Sequence, residues 1–66
     1  MDDEFNMSMR KFLKQVGVTS QQAIETALRD ASSDLADKQL RARMVLTLEG
    51  TDMHHVVEGT ITGPKA

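Results

Sequence analysis

Between Leu40 and Ile61 the chain alternates apolar and polar residues through two runs separated by Glu49, Gly50, Thr51 and Asp52. A strand sends successive side chains to opposite faces, so a period of two marks a half-buried strand, and a Gly-containing break between two such runs marks a hairpin. Leu40, Ala42, Met44, Leu46 and Leu48 then share one face of the first strand, and Met53, His55, Val57, Gly59 and Ile61 one face of the second. The spacing predicts strands over 40–49 and 53–62, with Gly63 and Pro64 stopping the second and Lys65 and Ala66 fraying. Two strands alone are marginal in water, so the oily face has to lie on something.

The N-terminal half supplies helices for that purpose. Phe5, Met9, Phe12, Leu13 and Val16 recur at helical spacing and predict a helix over 3–16, with Asp2, Asp3 and Glu4 placed where free N–H groups and the helix dipole favour negative charge. Gly17 is the residue type that ends many helices in the left-handed conformation. Thr19 followed three residues later by Gln22 reads as a capping box, and Val18 against Ala23 as a hydrophobic staple. A second helix is therefore predicted over 20–33, with Ala23, Ile24, Ala27, Leu28 and Ala31 as its apolar stripe. From Asp34 to Gln39 the sequence is compatible with a loop, a frayed turn or more helix, and Leu35 serves the stripe or plugs the core edge accordingly. The expected architecture is α+β, one domain over 1–66 in the order α-α-β-β, two N-terminal helices packed on a C-terminal antiparallel hairpin.

Length limits how well such a fold can stand alone. A chain of 66 residues buries only about 60% of the surface its unfolded form exposes. Large apolar side chains are scarce, with two Phe, no Trp and no Tyr, and the absence of cysteine removes disulfides, thiolate zinc sites and thiol redox chemistry. A second copy of the chain is the remaining source of burial, and the commonest arrangement is a two-fold dimer. The outer face of the hairpin is consistent with this, since Val45 and Val56 make its centre mildly apolar, and Met7, which falls off the helix stripe, is either half exposed or a contact to a partner chain.

Charge argues against a general attraction to polyanions. Eight Lys and Arg face ten Asp and Glu, a net charge of -2, which favours solubility over binding to nucleic acid or anionic lipid. The acidic start, Met1 to Glu4, has no basic n-region or apolar run, so a signal peptide is not expected, and no segment has the apolar length of a membrane span. The expected location is the cytoplasm.

Candidate chemistry is thin. His54 and His55 are adjacent and on a strand point to opposite faces, a poor arrangement for one metal ion. The plain reading places His55 at the core edge and His54 in solvent. Asp30, Asp34 and Asp37 read as a solvated helix end, and Thr19, Ser20, Ser32 and Ser33 as caps and loop residues without a matched base. Gly17, Gly50, Gly59 and Gly63 are isolated, so there is no phosphate-cradling loop. We expect no enzyme, no cofactor and no metal. The expected function is that of a homodimeric protein-interaction or structural module, with a candidate surface of Met7, Arg41, Arg43, Val45, His54 and Val56 and a possible further protein partner. The alternative is a nucleic-acid-binding protein using Arg41 and Arg43 of the hairpin or the second helix. That helix presents Ser20, Gln21, Gln22, Glu25 and Thr26 before Arg29, too few cations for phosphate contacts.

The segment from Phe5 through Met9, Arg10, Lys11, Phe12, Leu13 and Val16 to Gln21 resembles the opening of a family of very short uncharacterised bacterial proteins. The likeness continues through Met44, Leu46, Thr47, Leu48, Glu49 and Gly50 to His55, Val57 and Gly59. The resemblance implies a stand-alone bacterial protein and assigns no activity, cofactor or catalytic residue.

Overall fold

The structure, a computed structural model, describes residues 2–30 and 33–65. One helix precedes one hairpin: α1 is Asp3–Asp30, a short 3₁₀ turn follows at Ser33–Leu35, and β1, Gln39–Thr47, pairs with β2, His54–Thr62. The chain divides into two compact units, Met1–Ala31 and Ser32–Ala66. The α+β class and the antiparallel hairpin are as expected, but the helices predicted over 3–16 and 20–33 are one. Ala31 of the predicted second stripe, Ser32 and the frayed Ala66 lie outside the described residues.

Helix α1 begins on Asp2, whose side-chain Oδ1 accepts a hydrogen bond from the Phe5 amide at 2.8 Å, while its carbonyl accepts from the Asn6 amide at 3.2 Å. That is N-cap chemistry, satisfying amides that the first helical turn otherwise leaves unpaired. The helix then runs through Gly17, Val18 and Thr19 without a break. Thr19 does not cap: its hydroxyl donates to the Gln15 carbonyl at 2.7 Å, the back-bond a threonine makes inside a helix. Magnitudes explain why continuity wins. A glycine inside a helix costs about 1 kcal/mol, whereas starting a second helix incurs a nucleation factor near 10⁻³, about 4 kcal/mol.

Phase points the same way. The two stripes read separately from the sequence form a single row when the helical period is carried through, Phe5, Met9, Phe12, Val16, Ser20, Ala23 and Ala27, with Leu13, Ile24 and Leu28 along one flank. At about 100° per residue this apolar sector is roughly 160° wide. Its large side chains are open, Phe5, Met9, Phe12, Leu13 and Ile24 being 36–49% exposed, while Val16, Ser20 and Leu28 are half-buried.

In the second unit the hairpin register pairs Leu40 with Ile61, Ala42 with Gly59, Met44 with Val57 and Leu46 with His55 on one face. Gln39 with Thr62, Arg41 with Thr60, Arg43 with Glu58, Val45 with Val56 and Thr47 with His54 form the other. The strands stop one or two residues short of the sequence expectation, at Thr47 and His54. The connection tightens into a turn at Leu48–Thr51: the Thr51 amide and hydroxyl both donate to the Leu48 carbonyl, at 3.2 and 2.7 Å, and the hydroxyl accepts from the Met53 amide at 3.2 Å. Gly50, third in that turn, has φ 82°, the positive value that a type II turn requires there. His55, expected at the core edge, is exposed, as is Val57 at 52%.

A second turn closes the open end of the hairpin. The Lys38 amide donates to the Leu35 carbonyl at 3.3 Å, with Asp37 in the left-handed region at φ 60°. Asp is one of the few non-glycine residues that adopt this conformation readily. Beyond the last strand pair, the Gly63 amide donates to the Lys38 carbonyl at 2.7 Å and the Asp37 amide to the Pro64 carbonyl at 3.0 Å. Among the described residues only Gly63 is buried. A Cβ there would run into the Leu35 carbonyl oxygen, so this crossing of two backbones requires glycine. Leu35 itself is half-buried in a 3₁₀ turn rather than on a continuing helix.

Candidate interaction surface

The polar-and-valine face of the hairpin gathers five of the six residues singled out from the sequence. Arg41, Arg43 and Val45 stand on β1, and His54 and Val56 on β2, all with the same parity of register. Arg43 lies across from Glu58 in the central pair of this face, Val45 across from Val56 in the next pair toward the Leu48–Thr51 turn, and His54 across from Thr47 nearest that turn. Met7 belongs to the helical unit and is 70% exposed.

Electrostatics of this face depend on Glu58, which is not among the six residues of the candidate surface read from the sequence. Its Oε2 accepts from Arg41 Nη2 at 3.1 Å, a diagonal cross-strand ion pair, and its direct cross-strand neighbour is Arg43. One carboxylate thus faces two guanidinium groups, and the arginine side chain of the ion pair is 79% exposed. Such a pair contributes little to stability, because water screens it, but it sets the register of charge on the surface. Nearby, Gln39 Nε2 donates to Thr62 Oγ1 at 3.2 Å. Gln39, Arg41, Glu58, Gly59 and Thr60 line a shallow depression of about 460 Å³ beside the ion pair. The signal for Glu58 was present in the sequence, since the hairpin register alone places it opposite Arg43.

This face offers groups that hydrogen-bond and pack. Among the described residues no three His, Asp or Glu side chains are placed to hold a metal ion. His54 and His55 oppose Thr47 and Leu46 on different faces of the ribbon. The second helix that was to serve as an alternative nucleic-acid reader does not exist as a separate element, its residues 20–30 being the C-terminal turns of α1. Among the described residues no helix is long and apolar enough to cross a membrane.

A long amphipathic helix followed by a two-stranded antiparallel ribbon defines a small α+β protein of helix–hairpin type. The match is to a family model described as a family of unknown function, DUF6494, over residues 1–64, and the chain belongs to that family. Neither the curated proteins nor the solved structures give a match.

Proposed function

We propose that this chain is a self-associating interaction module, a homodimer whose hairpin offers the Arg41–Glu58 and Val45–Val56 face to a protein partner. One observation carries the reading: among the described residues no hydrophobic side chain is buried. A lone helix and a two-stranded ribbon are each a single layer, and a layer with an apolar face needs a second one. The apolar surfaces to be covered are several. The helix sector is wider than the roughly 100° that one neighbour occupies, one hairpin face is lined by Leu40, Met44, Leu46 and Ile61, and the other carries the Val45–Val56 pair. In this reading the helix sector and the face of Leu40, Met44, Leu46 and Ile61 find their cover within the dimer, and the Val45–Val56 pair is left to the partner. A cytoplasmic setting accords with a chain that has no cysteine and a net charge of -2.

Protein rather than nucleic acid is the favoured partner because Arg41 is already engaged by Glu58 and Arg43 faces the same carboxylate, leaving little free positive charge for phosphates. Light scattering on a size-exclusion column over a range of concentrations tests the self-association. The expected mass is twice the 7.3 kDa of the chain; a folded species of single mass at micromolar concentration overturns the proposal.

A further inference from the structure

The row of side chains along α1 is a palindrome in spacing and the reverse of one in size. Phe5, Met9, Phe12, Val16, Ser20, Ala23 and Ala27 follow one another at intervals of four, three, four, four, three and four, symmetric about Val16. On one side of Val16 the residues are large, and on the other they are small. We infer that the helices of two copies pair antiparallel along this row, about a two-fold axis at Val16. The inference rests on the self-association proposed above and adds its orientation and surface.

Size complementarity carries the first half of the argument. With the axis at Val16, Phe5 of one copy faces Ala27 of the other, Met9 faces Ala23, and Phe12 faces Ser20, so each bulky side chain meets a site with room for it. Interiors pack densely only when large and small residues alternate across the contact. A parallel pair would set Phe5 on Phe5 and Phe12 on Phe12 at one end and Ala23 on Ala23 and Ala27 on Ala27 at the other. That contact is too full at one end and empty at the other. Exposure of 42% at Phe5, 42% at Met9 and 49% at Phe12 leaves these side chains available.

The helix dipoles carry the second half. The same axis opposes them, with the N-terminus of each helix at the C-terminus of the other. Parallel pairing would set the two dipoles side by side and bring the acidic N-termini, Asp2 to Glu4, together. The cost in the antiparallel arrangement is Asp2 approaching Asp30 at the two ends, where both are exposed and Asp2 is already occupied in capping Phe5.

Because the chain has no cysteine, disulfide trapping reads the orientation directly. Val16→Cys is expected to form a covalent dimer on mild oxidation. Phe5→Cys and Ala27→Cys are each expected to stay uncrosslinked alone and to crosslink when mixed and equilibrated, and Phe12→Cys with Ser20→Cys repeats the test where loss of Phe5 is tolerated poorly. Circular dichroism checks that each variant keeps its helix, and light scattering on the reduced proteins gives the mass. A dimeric mass with Phe5→Cys crosslinking to itself, or with no crosslink in any variant, overturns the antiparallel helix pairing and leaves self-association standing. A monomeric mass overturns both.

Discussion

Replacing Gly63 by alanine should cost the hairpin unit its closure. The added Cβ would overlap the Leu35 carbonyl oxygen and sit 3.1 Å from the Leu35 carbonyl carbon and 3.5 Å from the Asp37 nitrogen, all backbone atoms that cannot swing aside as a side chain would. The two backbones must therefore separate, and the bonds from the Gly63 amide to Lys38 and from the Asp37 amide to Pro64 go with that separation. Each such bond contributes about 0.5–1.5 kcal/mol net, so about 1–3 kcal/mol is lost. Alanine restores about 0.4–1 kcal/mol by restricting the unfolded chain. The balance is a destabilisation of about 1–2 kcal/mol, which for a domain of this size lowers Tm by about 4–15 °C. Gly59→Ala is the control, because nothing lies within 4 Å of a Cβ built there. Thermal melts by circular dichroism at matched protein concentration, with amide exchange at Asp37 and Gly63, provide the measurement. Should Gly63→Ala melt with the wild type, or Gly59→Ala fall as far, the close crossing at Leu35 is not what holds this end of the hairpin.

Three further outcomes follow from the geometry. Gly17→Ala should raise stability by about 1 kcal/mol, since alanine is favoured over glycine inside a continuous helix; a lower Tm would mean that Gly17 ends a helix after all. At Asp37, held at φ 60°, glycine should be neutral or stabilising and valine destabilising by at least about 1–2 kcal/mol, because a β-branched side chain tolerates the left-handed region poorly; denaturant unfolding separates the two variants. Thr51→Val, which removes the hydroxyl that donates to Leu48 and accepts from Met53, should cost about 1 kcal/mol and loosen the turn, while Thr51→Ser should leave both bonds in place. Amide exchange at Met53 reports the difference.

How much of the molecule could be read without coordinates depends on the range over which each signal acts. The hairpin was legible because strand parity is local: Val45 opposite Val56 and Met44 opposite Val57 follow from the alternation and a central turn. The gathering of Arg41, Arg43, Val45, His54 and Val56 on one face follows from the same parity. The continuity of α1 is hidden in the sequence because Gly17, Thr19 and Gln22 each carry a local end or start signal, while what speaks against a break is the phase shared by Phe12, Val16, Ser20 and Ala23. A capping box competes on equal terms with a helix interior only if the helix has some other reason to stop.

The sequence by itself determined which side chains share each face of the ribbon and of the helix, because faces follow from backbone periods of two and 3.6 residues and from nothing distant. Only the tertiary structure decided that Asp37 turns left-handed, that Lys38 and Gly63 bond across the hairpin's open end, and that Gly63 must lack a side chain. Those contacts join residues far apart in the chain through backbone atoms, and backbone atoms are the same in every residue. Their meeting leaves a trace in composition only where, as at Gly63, the approach is too close for a Cβ.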